Sequence, residues 1–522
     1  MKTYKFLILF LVVAFGACTD DFDEMNTNPI EPTEVQADLL FPRMLKVPYG
    51  GWEFQTGHNL FSNHFAQYIA NTAPYFHSDR YTIPNGWSMP IWNYYYTNIL
   101  PNCLYIEESL ADDPKSINKI QQAIIWKVHQ AQFVTDHYGD VPYFEAGKQE
   151  TDLDYDTQKD IYYSFFDELE SAASKLDGDA SLYNYGAQDY LYNGNAMKWK
   201  KFANSLRLRY ALRIAEIDPT KAKAEAVAAL NAGLFESNDD NAALDCTNGD
   251  LTNGHNFRAI ANWNEFRLSS TFFDILTETS DVIDPRMYAY FIPGRGTGTY
   301  AGIDNGIPVG DLGDANEVFS NIGPAIVKER EYMIMNYSEV CFLKAEAALR
   351  GWTEFGSAQE HYEAGIAASF AYWDNQIDNE TPADMLTLGV NSNEVPYMQS
   401  QFSMLVDGNL LGDPADYLAG GDVPFKTAGS TEEKLRQIIT QKYIANFPDG
   451  MESWCEFRRT GYPSEIKPVV APVAGSLPQG EFIQKLPYVD QEYDLNETHA
   501  SDSQNNGGQG DGIGVKLWWV TD

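Results

Sequence analysis

Ser338-Glu339-Val340-Cys341-Phe342-Leu343-Lys344-Ala345-Glu346-Ala347-Ala348-Leu349-Arg350-Gly351 sets the architecture of this chain. Apolar and small residues recur here at three- and four-residue steps, which predicts a helix over 335–350. Gly351 supplies the C-terminal stop. A second helix is expected over 357–373, with Ala358, Tyr362 and Ile366 on one stripe. Small residues on the first helix let the second pack closely, so the unit is an antiparallel helix pair.

The same periodicity predicts helices near 116–138, 157–176, 196–217, 219–233 and 431–446. Asp218-Pro219-Thr220 is a start signal, with Pro in the first turn. The small-then-aromatic alternation over 338–371 resembles a tetratricopeptide unit, although the Gly351–Gly356 loop is about two residues longer than is usual for that repeat. Between 236 and 334 the pattern changes to Asn, Gly, Asp and Thr, with Gly294-Arg295-Gly296-Thr297-Gly298 and Asp304-Asn305-Gly306. This region and 375–429 read as long loop-rich insertions on the surface of a mainly α fold.

The N-terminus carries an address. Lys2 and Lys5 precede an apolar run from Phe6 to Phe15, then Gly16, Ala17 and Cys18. This is the form of a secretory signal peptide over 1–17, too short to span a bilayer, which takes about 20 residues. Phe15-Gly16-Ala17-Cys18 reads as a lipobox that makes Cys18 the acylated residue, with Phe15 where Leu is usual. Several acyl chains, at about 0.8 kcal/mol per buried methylene, anchor a protein stably. Residues 18–34 then form a tether with Asp20, Asp21, Asp23 and Glu24. Its acidity is consistent with a surface-export signal and equally with a solvated linker. A single domain over 35–522 is expected to follow.

With 36 basic against 74 acidic residues the net charge is −38, which repels nucleic acid and anionic headgroups. Nucleic-acid partners are therefore not expected, and membrane contact falls to the lipid. Of the cysteines other than Cys18, Cys103, Cys246, Cys341 and Cys455 form no C-x-x-C pair, so no zinc ribbon is supported. The sequence lacks a G-x-S-x-G elbow, an H-E-x-x-H helix and a G-x-x-x-x-G-K-[ST] loop. Asp152, Asp154 and Asp156 imitate a calcium loop, but Thr157 stands where the turn needs Gly and Tyr163 where Glu is needed. No catalytic residue, metal or cofactor is expected.

Four stretches, taken in order, resemble a known family. They are Tyr138-Gly139-Asp140-Val141-Pro142-Tyr143-Phe144-Glu145-Ala146; Met335 to Ala347; Gln441 to Trp454 with Arg458-Arg459-Thr460-Gly461-Tyr462-Pro463; and Leu486-Pro487-Tyr488 to Asn496 with Lys516-Leu517-Trp518-Trp519. Together they resemble the SusD/RagB-like outer-membrane lipoproteins of the starch-binding-associating branch, with Val489 where that family usually has Pro. The resemblance implies tetratricopeptide-like helix pairs and a lipid-anchored outer-membrane location. It also implies a SusC-like TonB-dependent transporter that the protein caps, and a nutrient ligand. A glycan or oligosaccharide is the leading ligand class; a peptide, as the RagB side implies, or a mainly structural lid are the alternatives.

A glycan site needs flat aromatic faces for sugar rings and amides or cations for hydroxyls. With 11 Trp and 32 Tyr in the chain, those on polar loops are better candidates than those on helices, which have a core to fill. The loop from Tyr75 to Trp92 offers Trp87 with Arg80; the central insertion offers Asn262, Trp263 and Tyr300. The competing reading for each ring is a loop anchor tucked against the body.

Overall fold

The computed structural model describes residues 36–521 except 52–53, 76, 85, 149–151, 246–262, 279–280, 324, 327–330, 379–394 and 408. The signal segment, Cys18, the tether, Cys246 and Asn262 lie outside the described residues. In chain order the longer helices and the strands are α1 (Ala37–Lys46), β1 (Ile69–Asn71), α2 (Leu100–Leu110), α3 (Ile117–Tyr138), α4 (Gln158–Lys175), α5 (Ala196–Arg213), α6 (Pro219–Ala232), β2 (Ala242–Asp245), β3 (Phe266–Leu268), α7 (Ser270–Thr277), β4 (Phe291–Ile292), β5 (Asn321–Ile322), β6 (Glu331–Met335), α8 (Tyr337–Leu349), α9 (Ala358–Asp378), α10 (Val395–Asp407), α11 (Thr431–Asn446) and α12 (Gly450–Thr460). The fold is mainly α, with helices packed in sequential pairs: α2 on α3, α3 on α4, α4 on α5, α5 on α6, α8 on α9. Among the described residues the strands form three two-stranded antiparallel ladders, β1–β3, β2–β6 and β4–β5. Among the described residues no helix is long and apolar enough to cross a membrane.

Local chemistry fixes the helix ends. The side chains of Thr157, Asn195, Asp218 and Asn336 each accept a bond from a first-turn N–H of α4, α5, α6 and α8. Ser430 and Glu433 close a reciprocal capping box on α11. The predicted close packing of the helix pair is present. A Cβ on Gly365 would lie 2.8 Å from the Phe342 ring, and Ser338 Oγ donates to the Gly365 carbonyl at 2.6 Å.

The pairs are pinned together by charges out of reach of water. Arg213 on α5 donates to Asp136 on α3 at 3.1 Å and to Glu452 on α12 at 2.5 Å. Arg209 grips Glu339 of α8 at 2.7 and 2.5 Å. Lys442 of α11 reaches Glu452 at 3.2 Å and Glu456 at 3.5 Å. Burial alone would raise the Glu452 and Glu456 carboxyls, but the cations around them outweigh it and hold both below the ordinary range. Asp136 also accepts from the Tyr162 hydroxyl and from Trp519 Nε1 at 3.0 Å, which seats the C-terminus on α3. The twin arginines divide their roles. Arg459 joins the ion network, whereas Arg458 stacks 3.5 Å over Trp454 and donates to the Asp136 and Gln484 carbonyls.

Two expectations are corrected. The insertions at 236–334 and 375–429 are not simply surface loops. They carry α7 and α10, and Phe272, Tyr290, Phe291, Met398, Leu405 and Tyr417 are buried in the main core. α7 is only eight residues long, and both helices sit between Asn-, Asp- and Gly-containing flanks that dominate the local composition. The helix expected over 335–350 begins at Tyr337, since residues through Met335 pair with β2. Gln55–Ser62 is hidden in the sequence for a different reason: it is buried throughout although Gln55, Thr56, His58, Asn59 and Ser62 are polar, so its polar residues mark no solvent-facing side.

Candidate ligand-binding face

The loops around the β1–β3 ladder hold most of the candidate residues. Ile69 pairs with Leu268 and Asn71 with Phe266. Thr72 N–H extends the ladder to the Glu265 carbonyl at 2.6 Å. This brings the segment after β1, with Tyr75, against the segment before β3, with Trp263 and Glu265. The Tyr75 hydroxyl donates to Glu265 Oε1. Both rings are on the outside: Tyr75 is 67% exposed and Trp263 40%. Partial burial raises the Glu265 carboxyl above its ordinary value.

Buried polar groups hold this edge in place. Asn264 adopts a left-handed conformation with φ 60°. Its Oδ1 accepts from Arg267 Nη2 at 2.6 Å, and the same nitrogen donates to the Asn316 carbonyl at 2.6 Å. Thr72 Oγ1 donates to Asn316 Oδ1 at 2.6 Å. One cation on β3 thus ties the Trp263 turn to the Asn316 turn, and Thr72 ties the latter back to β1.

Asp79 performs the equivalent task for the Arg80 turn. Its Oδ2 accepts the Asn71 N–H at 3.1 Å and the Gly306 N–H at 3.0 Å. Complete burial pushes its carboxyl up to about 6, against the opposing pull of those two donors. Ser78 meets His64 Nδ1 at 2.7 Å from below, where burial lowers the imidazole to about 3.

The sequence candidates are not equivalent in this setting. Trp263 offers an open ring. Trp87 is half-buried and packs on the main core. Arg80 is half-buried, its Nε committed to the Ala471 carbonyl at 2.7 Å. Tyr300 is half-buried and meets Tyr288 edge to face at 5.6 Å. Tyr75 and Glu265 were not singled out as ligand candidates. Only the ladder pairing brings them together across 190 positions, and no local pattern announces that.

An α-helical scaffold of paired helices with an aromatic-bearing face built from inserted loops defines a receptor-type architecture. Residues 22–520 match the model of the SusD-like family, described as SusD and RagB outer membrane lipoprotein, and the chain belongs to that family. Solved structures agree. A chitin-binding SusD homologue from Flavobacterium johnsoniae is 28% identical with a TM-score of 0.75, over 93% of this chain and 98% of that one. A SusD homologue from Bacteroides vulgatus is 28% identical with a TM-score of 0.76, over 93% and 97%. A further chitin-binding protein is 29% identical with a TM-score of 0.74, over 93% and 100%. No curated protein matches the sequence.

Proposed function

We propose that this chain is a cell-surface glycan receptor that captures oligosaccharide and passes it to a SusC-like TonB-dependent transporter. The observation that carries the reading is the whole-length likeness, at 28% identity, to a SusD homologue that binds chitin. The exposed Trp263 and Tyr75 rings support it, because an aromatic face matches the C–H face of a pyranose at little entropic cost. In this reading residues 1–17 are removed, Cys18 carries the lipid, 18–34 are the tether, and 35–522 act as one binding domain. The role is binding, with the chemistry left to other proteins.

Calorimetry against chitooligosaccharides, other neutral oligosaccharides and oligopeptides tests the ligand class. Saturable binding of a glycan and none of the peptides is the expected result. Binding confined to peptides would replace the reading with a peptide receptor. Mild-detergent extraction tests the partner: the protein should co-purify with a large TonB-dependent barrel, and repeated recovery as a lone monomer opposes the transfer step.

A further inference from the structure

Glu265 brings a charge to the ladder edge that carries the two exposed rings. It follows Trp263 by two positions and accepts the Tyr75 hydroxyl on Oε1, so one carboxylate belongs to both aromatic segments. The main chain fixes where it stands. The Glu265 carbonyl accepts the Thr72 N–H at 2.6 Å, and the next residue, Phe266, pairs with Asn71. The side chain is half-buried, and that loss of water is what raises its carboxyl above the ordinary value.

The charge of this carboxylate is not answered within the protein. A neutral donor such as the Tyr75 hydroxyl leaves it in place. Among the described residues no cation pairs with Glu265, and no neighbouring charge opposes the rise that burial causes. The guanidinium groups of the surrounding turns are directed to other partners. Arg267 donates from Nη1 to the Phe266 carbonyl at 2.7 Å and from Nη2 to Asn264 Oδ1 and the Asn316 carbonyl, both at 2.6 Å. Arg295 forks onto Glu317, with Nε 3.0 Å from Oε2.

A ring laid over this edge takes further water from the carboxylate, which is costly unless the ligand answers it. A neutral sugar returns single hydroxyl bonds. An ammonium returns up to three N–H donors and the opposite charge. A uronic-acid ring would add like charge to a protein of net charge −38. We propose that Glu265 is a specificity-determining residue of the loop face and selects a 2-amino-2-deoxy sugar, an N-deacetylated ring of a chitin-type oligosaccharide, with its C–H face on Trp263 and its ammonium on the Glu265 carboxylate. The inference rests on the glycan-receptor reading and names the sugar within it.

The test is calorimetry of the mature protein with triglucosamine and, separately, with tri-N-acetylglucosamine, at about pH 6, above the ordinary carboxyl range and with the sugar amine protonated. Triglucosamine should bind about ten-fold or more tightly, the scale of a charge-assisted hydrogen bond. Glu265→Gln keeps the shape of the side chain and an acceptor for Tyr75, and should bring the ratio of the two affinities close to one. Glu265→Asp, which withdraws the charge by one methylene, should shrink the ratio and decides the matter if Glu265→Gln fails to fold. Trp263→Ala should weaken both sugars. Equal affinities in the parent, or a preference that survives in Glu265→Gln, overturns the proposal. Trilysine bound as tightly as triglucosamine, and lost with Glu265→Gln, would make the carboxylate a general cation site and overturn the sugar assignment. A protein that takes tri-N-acetylglucosamine through Trp263 without preferring the amine loses this inference alone, whereas one that takes neither sugar nor any other oligosaccharide loses the glycan reading as well.

Discussion

Arg459 reaches across 113 positions to Glu346 with both arms of its guanidinium, Nη1 to Oε1 at 2.7 Å and Nη2 to Oε2 at 2.8 Å. The contact fastens α12 to the small-residue helix α8, and both side chains are buried. Glu456 takes a further bond from Arg459 Nη2 at 2.6 Å. Removing one partner of a buried pair strands a charge and costs about 3–5 kcal/mol. Arg459→Ala should therefore lower the stability measured by urea unfolding by that amount. Arg459→Lys should lose part of it, because an ammonium keeps the charge without the planar fork. An Arg459→Ala protein as stable as the parent would show the network to be dispensable.

The same network sets an opposed pair of pH dependences. Asp449 caps α12, and burial pushes its carboxyl from 3.8 up to about 7, Arg209 opposing and Glu452 adding to the rise. Between about pH 4 and 7 the native state therefore holds a proton that the unfolded chain has released. Stability falls as pH rises through that window. Glu346, Glu452 and Glu456 lie below their ordinary value of 4.5, so what they contribute is present above it and is lost as pH falls toward their lower native values. Asp449→Asn keeps the capping oxygen and removes the charge. Its gain in melting temperature over the parent should be near zero at pH 4 and grow toward pH 8. An equal gain at both ends would mean that the carboxyl does not titrate in this window.

Much of the scaffold could be read from the chain because its signals are local. The Asp218-Pro219 start, the Gly351 stop and the three- and four-residue periodicity lie within a few residues of the elements they define. Gln55–Ser62 had no such signal, since a segment buried all round looks like any mixed stretch. The loop face was legible only in composition. Trp263 stood out among Asn residues, but its exposure follows from the β1–β3 ladder and from Arg267 tying two distant turns. Trp87 has equally polar neighbours in sequence and nonetheless settles against the core.

In the proposed reading lipidation depends on Cys18. Cys18→Ala would remove the thiol that starts acylation, and with it an anchoring of about 0.8 kcal/mol per buried methylene. The variant should accumulate unprocessed or appear in the soluble fraction, with no incorporation of labelled palmitate. Normal outer-membrane fractionation of Cys18→Ala would remove the lipoprotein assignment at this residue.

Trp263 and Trp87 should separate when each is replaced by Ala. Trp263 is 40% exposed at the ladder edge, whereas Trp87 packs on the main core, so truncating Trp263 should cost the less folding stability of the two. Surface changes of this kind usually stay within about 0.5 kcal/mol of the parent. If the ring stacks on a sugar, its loss costs roughly 1–3 kcal/mol of binding, or about one to two decades in Kd. Trp87 lies half-buried against the core, and at about 25 cal/mol per Å² of apolar area its truncation should cost on the order of 1–2 kcal/mol of folding stability. Trp263→Ala is thus expected to bind chitooligosaccharide ten- to a hundred-fold more weakly at an unchanged melting temperature, and Trp87→Ala to melt earlier. Tyr75→Phe keeps the second ring and drops its hydrogen bond to Glu265, so it should bind nearly as the parent does. Parental affinity in Trp263→Ala, measured on a folded protein, would place the sugar somewhere other than this ladder edge.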